Sequence, residues 1–213
     1  MQRTRIENRM NKLQKTSVII PSLVIGLALI FSQQQVYATN SLSVCCAWNT
    51  KVVDGLSYTI SGGGSSAQAA VQSAIDDWNT APTGITLTPF TSTSGKPDID
   101  IKFKLGGGTI AGQALRQFDA NGFIKSVKLT ISGKAFGSPN DANIITQITK
   151  HELGHALGLG HANFDGDLMS TTVQGGSNTI STCDINGVKE ANHWFIVDLD
   201  TTPHQRHVSS IAC

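Results

Sequence analysis

The segment 151–161 reads His-Glu-Leu-Gly-His-Ala-Leu-Gly-Leu-Gly-His, and its spacing constrains the fold more than any other feature of the chain. His151 and His155 are separated by one helical turn, so both side chains lie on one face of a helix and can bind one metal ion. Glu152 follows the first histidine and is placed to act as a general base. The segment therefore predicts a helix that carries a catalytic metal site.

The second half of the segment predicts the remainder of that site. Gly158 favours the end of the helix, since glycine readily takes the conformations with which helices end. The chain can then turn back and bring His161 to the metal as a third ligand. Three neutral imidazoles leave the fourth tetrahedral position of a zinc ion open, which is what a catalytic zinc site requires.

Hydrophobic periodicity predicts the other elements of the fold. Apolar residues at helical spacing indicate a helix over 67–78, and Asp141 or Asn143 is expected to cap the helix that contains His151. Alternating apolar residues indicate a half-buried strand from Ile99. Further strands are predicted over 51–60, 85–90, 111–118 and 123–131, the last two as a hairpin.

The first 38 residues differ from the rest of the chain. A basic segment precedes the apolar run 18–31, and Val36-Tyr37-Ala38 is a plausible cleavage site. The run is short for a membrane span, which needs about 20 apolar residues. We therefore expect residues 1–38 to be a signal peptide or, if uncleaved, an N-terminal anchor. Residues 39–213 are expected to form one domain, which is either secreted or anchored on the extracytoplasmic side of the membrane by the uncleaved N-terminal segment.

Charge and cysteine content narrow the classes of protein. The formal net charge is +1, and no basic patch interleaved with aromatic residues indicates a nucleic-acid partner. All four cysteines follow residue 38, as expected for disulfides in an exported protein. Because adjacent Cys45 and Cys46 can bridge each other only with strain, we expect each to pair with one of Cys183 and Cys213.

The pattern H-E-x-x-H-x-x-G-x-x-H is the metzincin signature, and the chain resembles the matrixin branch of that group. Asp167-Leu168-Met169-Ser170 is similar to the family's Met-turn, in which a methionine underlies the zinc site. Three further segments resemble the family's elements weakly one by one, and they are informative only because they occur in the family's order. They are Ala70–Trp78 for the first helix, Asp98–Phe103 for the central strand and Ile180–Val188 for the last helix. The resemblance extends from about residue 45 to 195.

The resemblance implies both a fold and an activity. The fold is α+β of metzincin type: a twisted, mostly parallel sheet with an antiparallel edge strand, two long helices behind it and a C-terminal helix. The activity is that of a zinc endopeptidase acting on proteins or peptides, with Glu152 as general base, and we expect a monomer. Substrate is expected to lie along the edge strand 108–115, and residues 170–174 to form the wall of the specificity pocket.

Departures from the family pattern qualify these expectations. The family usually has a proline soon after the Met-turn, whereas Ser170 is followed here by Thr-Thr-Val. No histidine precedes His151, so we expect one catalytic zinc and no second, structural zinc. Four loop residues are candidate calcium ligands, but their spacing matches no defined calcium loop, and turn formation explains each better. They are Asp119, Asn121, Asp165 and Asp167.

The three remaining histidines lie late in the chain. His193 is expected to be a packing or surface residue, and His204 and His207 to belong to a polar C-terminal tail.

Two other functions fit parts of the pattern. An inactive zinc-holding binding or adhesion protein is an alternative, although the presence of Glu152 argues against it. A metal-dependent ribonuclease with a similar histidine-bearing helix is a weaker alternative, because Glu152, the leader and the cysteines do not fit it.

Overall fold

The computed structural model describes residues 39–48, 52, 54–104, 110–135, 138–139, 141–172, 179–193 and 209–213. The helices of this part of the chain are α1 (Ser65–Thr80), α2 (Ala142–Ala156) and α3 (Thr182–Ala191). The strands are β1 (Ser41–Val44), β2 (Leu56–Ser61), β3 (Leu87–Pro89), β4 (Ile99–Lys104), β5 (Gly112–Phe118), β6 (Ile124–Ser132), β7 (Lys134–Ala135), β8 (Ser138–Pro139), β9 (Leu159–Ala162) and β10 (Ser209–Ala212). None of the helices in these ranges combines the length and the apolar character needed to cross a membrane.

The main sheet has five strands in the order β3-β2-β4-β6-β5. The first four run parallel, and β5 pairs antiparallel with β6 at the edge. Alternate residues of the two central strands are buried, including Ile99 and Ile101 on β4 and Val127, Leu129 and Ile131 on β6. The expected α+β architecture, a mostly parallel sheet with an antiparallel edge strand and helices packed on it, is confirmed.

The two long helices, α1 and α2, pack against the sheet and against each other. Trp78 of α1 is buried and donates its indole N–H to the Lys150 carbonyl of α2, at 3.0 Å. The Lys150 ammonium lies 3.2 Å from an Asp77 carboxylate oxygen. These contacts fix α2, the helix that carries His151, relative to α1 and so to the sheet.

A second sheet of three strands, in the order β10-β1-β9, was not expected from the sequence. Both outer strands pair antiparallel with β1, and β9 contains His161. The expected polar C-terminal tail therefore ends as a strand. Pairing between residues near the two ends of the described chain has no local pattern that reveals it, because each strand is only four residues long.

The disulfides differ from the expected pairing. Cys45 is bonded to Cys46, and Cys183 to Cys213, so the prediction that Cys45 and Cys46 pair with the other two is wrong. Cys213 reaches the first turn of α3 because β10 pairs with β1, and the Cys213 N–H donates to the Asn40 carbonyl at 2.8 Å. The Cα atoms of Cys183 and Cys213 are 5.4 Å apart, within the usual range for a disulfide.

The first strand of the main sheet begins later than expected. Residues 51–60 were predicted to form a strand, but β2 begins at Leu56. Gly55 has a φ of 85°, and its N–H donates to the Val52 carbonyl at 3.2 Å, which closes a turn before the strand. The other elements have shifted bounds but the predicted type, and Asp141 rather than Asn143 caps α2.

Candidate metal centre

The three histidines of the segment 151–161 converge. His151 and His155 lie one turn apart on α2, with ring centroids separated by 4.7 Å. His161 comes from β9, and its ring centroid lies 5.5 Å from that of His151 and 4.8 Å from that of His155. One candidate ligand atom of each residue lies within 4.8 Å of the others, so the three could hold a metal ion.

Gly158 makes the return of the chain possible. Its φ is 107°, a conformation that side chains other than glycine rarely adopt. A Cβ at this position would lie 2.5 Å from the Cys46 carbonyl oxygen and 2.8 Å from the Ala191 Cβ. Both the conformation and the close approach therefore require glycine, and the sharp turn brings His161 back towards α2.

The last turn of α2 is held from two distant segments. The Trp48 indole N–H donates to the Ala156 carbonyl at 2.7 Å, and the Asn192 side-chain amide donates to the Leu157 carbonyl at 3.0 Å. Carbonyl groups at the end of a helix lack partners within the helix, so these bonds satisfy them in the buried interior. Neither residue was predicted to support the site, since no local pattern links it to α2.

Backbone carbonyl groups orient two of the imidazoles. His151 Nδ1 lies 2.7 Å from the Leu168 carbonyl oxygen, and His155 Nδ1 lies 2.9 Å from that of Leu159. A carbonyl only accepts, so each Nδ1 carries a proton and each Nε2 is left with its lone pair for a metal. Such bonds fix the tautomer and orientation of metal-binding histidines.

Burial favours the neutral form of these histidines. It lowers the pKa of His151, and it lowers that of His155 to about 3, where the neighbouring His151 and Arg116 add to the effect. Burial and the Arg116 charge also lower the pKa of His161. Because a metal ligand must be deprotonated, the three residues are ready to bind an ion at neutral pH.

Glu152 follows His151 on α2, and its side chain is buried. Its Oε2 atom has no hydrogen-bond partner in the described structure. Burial raises the pKa of Glu152 to about 7, although the positive charge of Arg116 acts in the opposite direction. A buried carboxyl with an uncommitted oxygen is suited to exchange a proton with a bound molecule.

Gly112 allows the edge strand to approach Glu152. A Cβ on Gly112 would lie 2.5 Å from Glu152 Oε1 and 2.8 Å from the Ile148 Cγ2. Gly112 belongs to the strand 108–115 along which substrate was expected to lie, but it was not singled out, although a glycine inside a strand often marks such a close approach. Gly112 therefore decides how near β5 can lie to the centre.

Met169, which the resemblance implied to underlie the zinc site, packs against α2 at Gly154. It is fully buried, and a Cβ on Gly154 would lie 2.5 Å from its sulfur, so the thioether packs directly on α2 between His151 and His155. The Met169 N–H donates to Asp167 Oδ1 at 2.8 Å, and its carbonyl accepts from the Ala162 N–H of β9. The turn thereby connects α2 with the strand of the third histidine.

A pair of carboxyl groups connects this turn to α3. Asp184 is fully buried, and its Oδ2 accepts from the Ser181 N–H at 2.7 Å in a capping box. The Ser181 hydroxyl lies 3.3 Å from Asp167 Oδ2. Burial, together with the negative charge of Asp167, raises the pKa of Asp184 to about 7. The Ser181-x-x-Asp184 spacing indicates the cap, but nothing local indicates the contact with Asp167.

This carboxyl pair predicts a pH-dependent stability. Because the pKa of Asp184 is higher in the folded than in the unfolded chain, the folded protein binds the extra proton between about pH 4 and pH 7. The contribution is therefore greatest below that window and is lost as the pH rises through it. In the parent protein, the free energy of unfolding should fall as the pH rises from about 4 to 7. We expect this fall to be about 1–3 kcal/mol smaller in D184N, as measured by urea unfolding at several pH values. The same pH dependence in D184N and the parent would contradict the assignment.

The remaining sequence candidates lie apart from the cluster. Asp119 Oδ1 accepts from the N–H groups of Asn121 and Phe123, which is a turn arrangement. His193 is exposed at the end of α3. His204, His207 and parts of the predicted substrate strand (108–109) and pocket wall (173–174) lie outside the described residues.

The donor set fits zinc. Three imidazole nitrogens form a common catalytic zinc ligand set, with a fourth position left for solvent or substrate. Burial lowers the pKa of each imidazole and so favours its neutral form, and two Nδ1 atoms already contact carbonyl groups. The adjacent residue Glu152 has a carboxylate oxygen with no hydrogen-bond partner in the described part of the chain. Within the described ranges, no other cluster of histidine, cysteine or carboxylate side chains could hold an ion.

A family model described as Matrixin (Peptidase_M10) matches residues 47–192, which is more than half of the chain. The chain belongs to the matrixin family. Its class is therefore zinc metalloprotease, its cofactor is zinc, and its substrates are proteins or peptides. No curated protein sequence matches this matrixin closely enough to identify a relative.

The family match excludes several features of this matrixin. Both β1 and β10 lie outside residues 47–192, as do three of the four cysteines. The sheet that contains His161 is therefore completed by segments beyond the family match.

Proposed function

We propose that this matrixin is a secreted endopeptidase in which His151, His155 and His161 hold zinc and Glu152 is the general base. The observation that carries the proposal is the buried Glu152 carboxyl, next to His151 on α2, whose Oε2 has no hydrogen-bond partner among the described residues, together with three converging neutral imidazoles. A purely structural carboxylate would be expected to have a partner in such a buried place.

The chain's own residues supply proton transfer and orientation. When bound, zinc supplies Lewis acidity, which polarises a carbonyl group and lowers the pKa of a coordinated water. Glu152 Oε2 takes the proton of the attacking water and then delivers it to the leaving amine. Burial raises the pKa of Glu152 to about 7, so its proton affinity suits both transfers near neutral pH. Gly158 forms the turn that returns the chain to His161, and Met169 packs against α2, so neither residue contacts the reacting groups itself but both support the positions of the histidines.

An extended peptide is the proposed form of the substrate. β5 is an edge strand of the main sheet and passes close to Glu152 at Gly112. The side chain of Leu115 on this strand is exposed, as is that of Ile110, which lies just before the strand begins. A peptide could add to this edge as a strand through main-chain hydrogen bonds. Ser170, at the start of the proposed pocket wall, is fixed against Ala162 of β9.

We propose that this protein is exported from the cytoplasm. Residues 1–38, proposed as a cleaved leader or an anchor, lie outside the described structure. The two disulfides of the remaining chain support an oxidising compartment, since such bonds seldom persist in the cytosol. Residues 39–213 then form one domain, which we propose to be a monomer.

Metal dependence tests the proposed function. The purified protein is expected to contain one zinc ion per chain and to cleave an unfolded protein substrate. A chelator should abolish cleavage, and added zinc should restore it, because three neutral ligands leave a site that refills. Zinc content is measured by elemental analysis and cleavage by mass spectrometry of the products. Tightly bound zinc without cleavage of any peptide would favour the inactive binding protein instead, and two zinc ions per chain would contradict the single site.

A further inference from the structure

Arg116 of β5 extends from the edge strand towards the turn that joins α2 to β9. Its Nη2 donates to the Leu159 carbonyl at 2.7 Å, and its Nη1 lies 3.5 Å from the Cys46 sulfur. The side chain is half-buried. One guanidinium group therefore joins the edge strand, the segment of the Cys45–Cys46 disulfide and the start of β9.

The Leu159 carbonyl is also the partner of a candidate zinc ligand. His155 Nδ1 lies 2.9 Å from this oxygen, and Arg116 Nη2 lies 3.5 Å from the same Nδ1. Since Nδ1 must carry a proton to donate to the carbonyl, it cannot also accept from the guanidinium. Arg116 and His155 thus donate to one shared oxygen, and the hydrogen bonds of both side chains meet at that oxygen.

The position of this carbonyl matters for two of the three histidines. It fixes the ring of His155, and it belongs to the first residue of β9, two residues before His161. The preceding Gly158 has a φ of 107°, so the chain changes direction immediately before the carbonyl. A hydrogen bond from a permanently charged donor is stronger than one between neutral groups and suits this anchoring role.

We propose that Arg116 is a positioning residue of the zinc site, which holds the Leu159 carbonyl so that His155 and His161 are preorganised for the metal. This inference rests on the proposed function, because it assumes that the two histidines bind zinc. Groups that orient metal ligands in this way typically contribute 10–100-fold to metal affinity. In this role Arg116 acts through the Leu159 carbonyl, to which it donates at 2.7 Å, and not by touching the substrate.

The test compares R116M, R116K and a control on the same strand, Q117M, in the full chain. Gln117 is exposed, whereas Arg116 is half-buried. Zinc dissociation constants are measured by competition with a chromophoric chelator, and ligand geometry by the visible absorption of the cobalt-substituted protein. We expect about 10–100-fold weaker zinc binding and an altered cobalt spectrum in R116M. R116K, which keeps a cationic donor, should recover part of the affinity, and Q117M should match the parent.

Zinc affinity and the cobalt spectrum decide whether Arg116 positions the ligands. A parental zinc constant and cobalt spectrum in R116M would overturn the inference, as would a raised KM with unchanged zinc affinity, which would indicate a substrate contact. If R116M does not fold, R116Q replaces it, and equal zinc affinity of R116Q and R116K would overturn the inference. Failure of the parent protein to bind zinc would instead overturn the proposed function and this inference together.

Discussion

Replacement of Glu152 by alanine is expected to lower the rate of peptide hydrolysis by about 10²–10⁴-fold while zinc remains bound. The reason is that Glu152 is not required as a ligand, since three imidazoles already converge without it. Its buried Oε2 is the atom proposed to take the proton from the attacking water. E152Q should behave in the same way, because glutamine has nearly the shape of glutamate but no basic oxygen.

The measurement is kcat/KM on a fluorogenic peptide together with the zinc content of each variant. E190A is the matched control, since Glu190 is an exposed carboxylate on α3. It should leave both the rate and the zinc content unchanged. Hydrolysis by E152A at near the parental rate, with zinc still bound, would show that Glu152 is not the general base.

Replacement of His155 by alanine is expected to remove both zinc and activity. His155 is the central residue of the cluster, with its ring centroid 4.7 Å from that of His151 and 4.8 Å from that of His161. The loss of zinc affinity should exceed the ~10–100-fold that changes behind a ligand typically cost. The variant is expected to fold, since α2 packs through other residues and its cap at Asp141 is unchanged.

The contrast between the two variants separates the roles of neighbouring side chains on one helix. H193A is the control for a histidine outside the cluster, because His193 is exposed at the end of α3. Zinc titration and circular dichroism, measured on the same preparations, distinguish loss of a ligand from loss of fold. A folded H155A protein with parental zinc affinity would be incompatible with the proposed ligand set.

The helix, the clustering of its histidines and the individual strands of the main sheet were predictable because their signals are local. The spacing of His151 and His155 follows from the period of a helix, and Gly158 marks its end. The alternation of Ile99 and Ile101 likewise reports one buried face of a strand. The return of His161 was expected from the same segment, because Gly158 lets the chain turn back, whereas the mostly parallel sheet with its antiparallel edge strand was implied by the resemblance to the family.

The tertiary structure alone decided which distant segments support that site. The pairing of Cys183 with Cys213 depends on β10 adding to β1, and the contacts of Arg116 and Asp184 depend on turns from other parts of the chain. Such contacts join residues with no fixed sequence separation, so neither periodicity nor spacing can reveal them. The sequence by itself therefore determined the zinc-binding helix and the class of chemistry, whereas packing between distant segments determined what holds the ligands in place, because only the folded chain brings those side chains within hydrogen-bonding distance.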